Sequence, residues 1–142
     1  MRLAYLFFAA VSLASIAFFL IPRVKEAPIE VAEDGSLLLP SGLSAYLHEM
    51  LWDRPGGGLV YRFRFVAEDF TGKEDFEKQS EDLEFLCNDY AIDKLADIGP
   101  KPSQIVISLA DKPSEFGKYE PDVEQIFESF SVEDGACIWD IF

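Results

Sequence analysis

The sequence is poor in histidine, cysteine and basic side chains, the residue types from which many catalytic and metal centres are built. Its 142 residues include one His and two Cys, and 12 Lys and Arg stand against 26 Asp and Glu, for a net charge of −14. A nucleic-acid partner requires a basic face, and anionic lipid headgroups attract basic segments. The composition therefore argues against nucleic-acid binding and against electrostatic attachment to a membrane surface.

The sequence also lacks the common catalytic motifs. It contains no G-x-S-x-G, no Walker A loop, no H-E-x-x-H and no EF-hand spacing, which are the patterns that position a nucleophile, a phosphate group, zinc or calcium. We therefore assign no catalytic residue and expect no cofactor and no metal ion. An enzymatic activity is the less favoured interpretation.

Two polar groupings offer alternatives to this view. His48, with Glu49 and Asp53 nearby, has the chemistry of a general base, although a half-exposed polar residue on a strand is the simpler interpretation. The acidic residues between 68 and 84 have the oxygen atoms to hold calcium, although a solvated helix face is the simpler interpretation. We treat neither grouping as a site.

The N-terminus carries a long apolar run. Residues 3–21 include two serines and no charge, and as a helix they would span about 28 Å, close to the hydrocarbon thickness of a bilayer. Arg2 supplies the positive end of an export signal. The sequence predicts a signal-anchor segment and the start of a linker at residues 1–27, which holds residues 28–142 at the inner membrane, facing the periplasm. Cleavage near residue 17 would instead release a soluble periplasmic protein.

The folded part begins with strand patterns. Residues 59–67 have aromatic and aliphatic side chains at every second position, so we expect one face of this strand to be buried. The segment 44–53 and the glycine-rich turn after it complete a hairpin with this strand. A short edge strand is expected at 37–39, and the mostly apolar residues 104–110 predict a central strand.

The pattern between these strands changes from period 2 to period 3.6. Thr71 and Glu74 form a capping box, and Gly99 with Pro100 ends the helix. The spacing predicts a helix over residues 72–98. Its apolar stripe comprises Phe76, Leu83, Leu86, Cys87, Tyr90, Ala91, Leu95 and Ile98.

The C-terminal segment 126–142 fits two patterns. Apolar side chains between 123 and 130 follow a helical spacing, whereas Asp134 and Gly135 are typical of a type I′ hairpin turn, which needs positive φ at both central positions. We favour the hairpin because its register places large apolar residues on one face. The expected pairs are Val132–Cys137, Phe130–Trp139 and Glu128–Ile141.

Together these elements predict an α+β domain over residues 28–142, preceded by the N-terminal transmembrane or signal helix. The domain is expected to contain a mostly antiparallel sheet of about five strands with one long helix packed on one face. It keeps nine of the basic and 25 of the acidic residues. Such a charge keeps a domain soluble and repels it from anionic headgroups.

The two cysteines face the same predicted interface between helix and sheet. Cys87 lies on the apolar stripe of the helix and Cys137 on the inward face of the last strand. In an exported chain this placement predicts a disulfide, and two unlinked core cysteines are the alternative. Both interpretations make the pair structural, because the redox motif C-x-x-C is absent.

The strand at 59–67 carries two arginines on its outer face, flanked by valines. This mixed face suits contact with a partner protein, in which the arginines bind a carboxylate or another anion. Pairing with the domain's own acids across neighbouring strands is the alternative. The adjoining turn at 53–58 and the loop segment 111–117 are further candidates, because their glycines let a backbone approach a ligand closely. A simple hairpin turn is the alternative for both. The candidate interaction residues are Arg62, Arg64, Val60, Val66, Asp53 and Arg54.

Four segments of the sequence are distinctive: L-W-D-x-P-G-G at 51–57, R-F-R-F-V at 62–66, I-S-L-A-D-K-P-x-E-F-G at 107–117 and E-D-G-A-C-I-W at 133–139. Together they resemble a family of short exported bacterial proteins, mostly from alphaproteobacteria, described as a domain of unknown function. The resemblance covers about residues 37–142. It implies a Gram-negative periplasmic location, and it implies no activity and no catalytic residue.

We therefore expect a membrane-tethered periplasmic protein–protein interaction module, an accessory or assembly factor of an envelope complex with an inner-membrane or periplasmic partner. A small periplasmic enzyme that uses a carboxylate or His48 is one alternative, and a ligand-binding protein released by signal cleavage is another. A pocket that joins His48 with two carboxylates would favour the enzyme. A flat exposed patch around Arg62 and Arg64 would favour partner contact.

Overall fold

The computed structural model describes residues 31–98 and 100–141. The signal-anchor segment predicted at residues 1–27 lies outside these ranges. Within them, no helix is both long enough and apolar enough to cross a membrane. The membrane segment therefore stays a prediction from the sequence.

Six strands in the described residues form one sheet, in which spatial order follows chain order. One neighbouring pair, the third strand with the fourth, is parallel, and the other four pairs are antiparallel. The parallel pair arises because the helix carries the chain back across the sheet as a crossover. The α+β class is confirmed, with a mixed sheet and one strand more than expected. The strands are β1 (Leu37–Leu38), β2 (Ser44–Asp53), β3 (Val60–Val66), β4 (Gln104–Ala110), β5 (Gln125–Glu133) and β6 (Ala136–Trp139).

The strand patterns read from the sequence correspond closely to these elements. β2 and β3 form the expected hairpin around a 3₁₀ turn at Pro55–Gly57. β1 lies at one edge, and β4 is paired on both sides in the interior. The alternation in β3 has the predicted effect, because Tyr61, Phe63 and Phe65 are all buried in the core.

The C-terminal hairpin forms about the predicted turn. Asp134 has a φ of 51° and Gly135 a φ of 79°, as a type I′ turn requires. The pairs Phe130–Trp139 and Val132–Cys137 are confirmed. The expected pair Glu128–Ile141 is wrong, because β6 ends at Trp139.

The helix begins later than the capping box predicted. Thr71 donates two hydrogen bonds to the Glu74 carboxylate, one from its N–H and one from its hydroxyl, each at 2.9 Å. These contacts close a turn that precedes the helix, because Gly72 has a φ of +70° that a right-handed helix does not allow. Asp75 is the N-cap residue, and the first helical residue is Phe76.

The helical region runs as three consecutive stretches: α1 (Phe76–Phe85), a π-helical segment (Leu86–Ala91) and α2 (Ile92–Ile98). The predicted stripe is buried at its centre, whereas Phe76 is 74% exposed and is not part of the core. This correction follows from the position of Phe76 at the first turn, ahead of the part of the helix that contacts the sheet. The buried members of the stripe are Leu83, Leu86, Cys87, Ala91 and Leu95.

Two neighbouring residues of the π-helical segment bind the last strand. Cys87 forms the predicted disulfide with Cys137, with the Cα atoms 6.1 Å apart. The Asn88 side-chain oxygen accepts a hydrogen bond from the Cys137 N–H at 2.9 Å. The helix is thus fixed to β6 by a covalent bond and by a hydrogen bond at the same residue.

A buried carboxylate lies between the helix and the β1–β2 turn. Asp82 is 2% exposed, and its Oδ1 accepts a hydrogen bond from the Ser41 N–H at 2.9 Å. Burial raises the pKa of Asp82 above its ordinary value, although the hydrogen bonds from Ser41 act in the opposite direction. Asp82 holds the turn against α1 at some cost in solvation.

Candidate functional site

The two central strands present a second face of the sheet, opposite the helix. The parallel register of β3 and β4 pairs Arg62 with Val106 and Arg64 with Ser108. Residues paired in a ladder lie on the same face. Two arginines and a serine hydroxyl therefore lie side by side at the centre of the sheet.

This face does not form the flat exposed patch around Arg62 and Arg64 that would favour partner contact. Arg64 is 7% exposed, and Val60 and Val66 are buried as well. The valines lie at the two ends of β3, where they are paired with both β2 and β4. Arg64 is covered by the β4–β5 loop, residues 111–124, which returns over the sheet.

Arg64 binds the loop directly. Its Nη1 donates to the Glu49 carboxylate and, at 2.9 Å, to the Ser114 carbonyl oxygen, and its Nη2 donates to the Ser114 hydroxyl at 2.7 Å. The guanidinium also faces the ring of Phe116, 5.8 Å from its centroid. Both terminal nitrogens are thus engaged within the domain.

Arg62 is held more loosely. Its Nε and Nη2 both donate to Asp53 Oδ2, at 3.4 Å and 3.3 Å, which is long for a hydrogen bond between charged groups. The guanidinium lies 5.5 Å from the centroid of the Phe116 ring, a cation–π contact. Both arginines therefore pair with acids of the domain itself, as the alternative interpretation of the sequence expected.

The loop is also held by its own hydrogen bonds. At its base, the Asp111 N–H donates to the Glu124 carbonyl at 3.1 Å, and the Glu124 N–H donates to Asp111 Oδ1 at 3.0 Å. At its tip, the Glu115 N–H donates to the Glu120 carboxylate at 3.1 Å, and Lys118 pairs with Glu115. These contacts give the loop a defined shape over the sheet.

An open cavity of about 560 Å³ lies between the loop and the sheet, and we call it the arginine–aromatic cleft. Arg62, Arg64, Val106 and Ser108 line its sheet side. Aromatic rings line the loop and β5 sides, and they remain largely in solvent. These rings are Phe116, Tyr119 and Phe127, which are 49%, 90% and 66% exposed.

His48 lies next to the loop but outside this cleft. It occupies an irregularity of β2, where the register shifts between Leu47 and Glu49, and it is exposed. A shallow depression of about 380 Å³ places His48 with Glu49, Glu115 and Glu120. No hydrogen bond joins His48 to a carboxylate within the described residues. The arrangement thus brings the groups together without the contact that orients a general base.

The other sequence candidates are placed as follows. Asp53 is half-buried beside Arg62, whereas Arg54 is exposed in the β2–β3 turn and does not line the cleft. Among the described residues, no group of three or more acidic, histidine or cysteine side chains is arranged to hold a metal ion. The acidic stretch at 68–84 consists mainly of exposed side chains, with Asp82 as the buried exception.

Sequence reasoning missed the aromatic wall of the cleft. Residues 111–117 of the loop are a candidate for close backbone approach to a ligand because of Gly117, but the rings of Phe116 and Tyr119 formed no part of that expectation. The available signal was two aromatic residues inside a polar loop, because rings in such a loop lie at the surface unless another element covers them.

The fold and the cleft define a class: a disulfide-linked α+β domain in which a loop closes over the helix-free face of a mixed sheet. The chain belongs to a Family of unknown function (DUF6497), whose model matches residues 20–142. The match extends over all six strands and the helix of the described structure. No curated protein and no solved structure is significantly similar to the chain.

Proposed function

We propose that the chain is a membrane-tethered periplasmic interaction module, which contacts a partner protein of an envelope complex through the arginine–aromatic cleft. The observation that carries this proposal is the exposure of Phe116, Tyr119 and Phe127 around one cavity. Exposed apolar side chains gathered at one place mark interaction sites, and aromatic and arginine residues are enriched at protein interfaces.

Partner binding accounts for the cleft better than catalysis does. Both terminal nitrogens of Arg64 are engaged, and Glu49, Glu115 and Glu120 each have a partner within the domain. A general acid or base needs a proton-transfer position that is open to substrate. The enzyme alternative therefore relies on Glu124, whose carboxylate has no partner among the described residues, or on His48, which no described carboxylate orients.

A ligand-binding role is the second candidate, and the size of the cleft favours it. A cavity of about 560 Å³ lies within the range of small-molecule sites. In this version the occupant is a free ligand rather than a segment of a partner protein. The two roles are distinguished by whether a photo-crosslinker placed at the cleft reacts with another polypeptide in the cell.

The proposed location is supported by two features. The Cys87–Cys137 disulfide suits an oxidising compartment outside the cytoplasm, and the apolar run at residues 3–21 has the length of a membrane helix. A C-terminal epitope should become protease-sensitive when the outer membrane is removed and the inner membrane is intact. An epitope that resists protease in such spheroplasts would overturn the location.

Site-specific photo-crosslinking in native cells tests the partner. A photoreactive amino acid at Tyr119 should yield an adduct with one other polypeptide, because this side chain stands at the rim of the cleft. The matched control is the same amino acid at Trp52, an aromatic residue of β2 that is also exposed but does not line the cleft. Equal adducts at both positions, or none at Tyr119, would contradict the proposal.

A further inference from the structure

We propose that the arginine–aromatic cleft binds a carboxylate group carried next to an apolar or aromatic side chain, and that Arg62 is the residue that binds the carboxylate. This inference rests on the proposed binding role of the cleft and names the chemistry of its occupant. The source of the carboxylate is either the C-terminus of a polypeptide or an internal acidic side chain.

Arg62 has a free terminal donor in the cleft. Its Nη1 has no hydrogen-bond partner among the described residues, while Nε and Nη2 share one oxygen of Asp53 at 3.4 Å and 3.3 Å. The side chain keeps 22% of its exposure. A guanidinium has five N–H groups in a fixed fork, so Arg62 has donors left for a second carboxylate.

The other two cations of the cleft are less suited to bind an external carboxylate. Arg64 uses both terminal nitrogens on Glu49 and Ser114, and Lys118 forms an ion pair with Glu115. Lys118 lies in the loop with 64% of its side chain in solvent, where an ion pair contributes little. Arg62 is therefore the cation of this cleft that combines free donors with a partly buried position against the Phe116 ring.

The charge distribution favours a singly charged ligand at this place. The cleft lining holds three cations and three carboxylates, whereas residues 28–142 as a whole hold nine basic and 25 acidic residues. Even with Glu49 and Asp53, which pair with the two arginines from beside the cleft, this region is less negative than the domain as a whole. A dianion such as phosphate would meet about twice the long-range repulsion that a single carboxylate meets.

The side chains around Arg62 indicate which chemical group lies next to the carboxylate in the ligand. Phe116 faces its guanidinium at 5.5 Å, and Val106 is its neighbour across the parallel ladder. Tyr119 and Phe127 leave ring surface in solvent at the mouth of the cleft. An apolar group next to the carboxylate would cover these rings and gain the hydrophobic contribution of that burial.

The test uses the full chain in lipid nanodiscs, with 3-phenylpropionate as the probe and 3-phenylpropionamide as its uncharged match. Binding is followed by the shifts of the Ser114 and Phe116 amide resonances. We expect the acid to bind about tenfold more tightly than the amide, since a charge-assisted hydrogen bond is lost in the amide. Equal affinities, or displacement of the acid by an equal concentration of inorganic phosphate, would overturn the proposal.

Variants assign the preference to Arg62. Arg62→Gln should abolish the preference for the acid, whereas Arg54→Gln, which removes an exposed arginine outside the cleft, should keep it. Asp53→Asn removes the competing carboxylate and should tighten binding of the acid several-fold. This gain keeps the proposal falsifiable if Arg62→Gln unfolds, and a weaker affinity in Asp53→Asn would contradict it.

Peptides then identify the source. A peptide that ends in phenylalanine is compared as free acid and as amide, beside an amidated peptide with an internal Asp-Phe pair. Binding of the free acid alone assigns a chain terminus, and binding of the internal acid assigns a side chain. Binding of neither overturns the inference, even if crosslinking at Tyr119 succeeds. Binding of the acids without any crosslinked partner supports it and instead contradicts the partner-protein role.

Discussion

Burial costs the Asp82 carboxylate more solvation free energy than the hydrogen bond from the Ser41 N–H recovers. The result is a pKa raised by desolvation. The folded state therefore binds the proton more tightly than the unfolded state, so protonation stabilises it. This contribution is fully present below the unfolded pKa and is lost as the pH rises through the higher folded pKa.

We predict that Asp82→Asn removes this dependence. An amide keeps the acceptor for Ser41 and carries no charge, so the variant should gain stability relative to the parent as the pH rises above about 4. Urea unfolding of both proteins between pH 3 and pH 7 measures the difference. A difference that stays constant across this range would show that Asp82 does not titrate with a raised pKa.

Arg64 is the residue on which the loop depends. Arg64→Met should lower the free energy of unfolding by about 3 kcal/mol, because the Glu49 carboxylate and the Ser114 groups lose their partner. The double variant Arg64→Met/Glu49→Gln should lose less, since no carboxylate is left uncompensated. Arg54→Met is the control and should change stability by no more than about 0.5 kcal/mol. Urea denaturation compares all three.

At the scale of elements, the π-helical segment links the helix to β6 through two adjacent residues. The disulfide encloses a loop with a sequence separation of 50, and the double change Cys87→Ser/Cys137→Ser should cost about 4 kcal/mol on the chain-entropy model. Asn88→Ala should cost about 1 to 2 kcal/mol, because the Cys137 N–H loses its acceptor.

Denaturant unfolding with and without reductant separates these two contributions. Reduction should lower the stability of the parent and of Asn88→Ala, and it should leave the double serine variant unchanged. A loss of stability on reduction of the serine variant would mean that the reductant acts through something other than the disulfide.

Elements that depend on local chemistry were predictable from the sequence, and those that depend on distant contacts were not. The alternation in β3 and the Asp134–Gly135 turn are local patterns, and both formed as expected. The predicted start of the helix was wrong, because Thr71 and Glu74 close a separate turn around Gly72 before the helix begins. The covering of Arg64 was missed because its contact with Ser114 joins residues 50 positions apart.

The two arginines of the candidate site were predictable, whereas its aromatic residues and its shape were not. The mixed face with Arg62 and Arg64 followed from the alternation of β3, and the cysteine pair followed from two independent face assignments. The concave form of the site comes from the return of the loop over the sheet, with Phe116 facing both guanidinium groups. Nothing in the spacing of residues along one strand encodes that return.

For the molecule as a whole, the excess of acidic residues opposes compact folding through repulsion between like charges. We predict that the melting temperature rises by a few degrees between about 0.01 M and about 1 M salt, since the screening length falls from about 30 Å to about 3 Å. Differential scanning fluorimetry of the full chain measures the rise.

A variant of the helix surface controls for this effect. Glu77, Glu81 and Glu84 are exposed on α1, and replacing all three by Gln should raise the melting temperature at low salt and flatten its dependence on salt. A melting temperature that falls with salt would mean that ion pairs such as Arg62–Asp53 contribute more than the general repulsion.

The parallel contact between β3 and β4 makes the domain indivisible. Strands β1 to β3 precede the helical crossover in the sequence, and strands β4 to β6 follow it. A polypeptide chain that has emerged only as far as β3 presents an open sheet edge and the rings of Phe63 and Phe65 without their cover. The C-terminal third must arrive before any stable core exists, and a chain shortened within it would be a substrate for proteolysis rather than a smaller version of the fold.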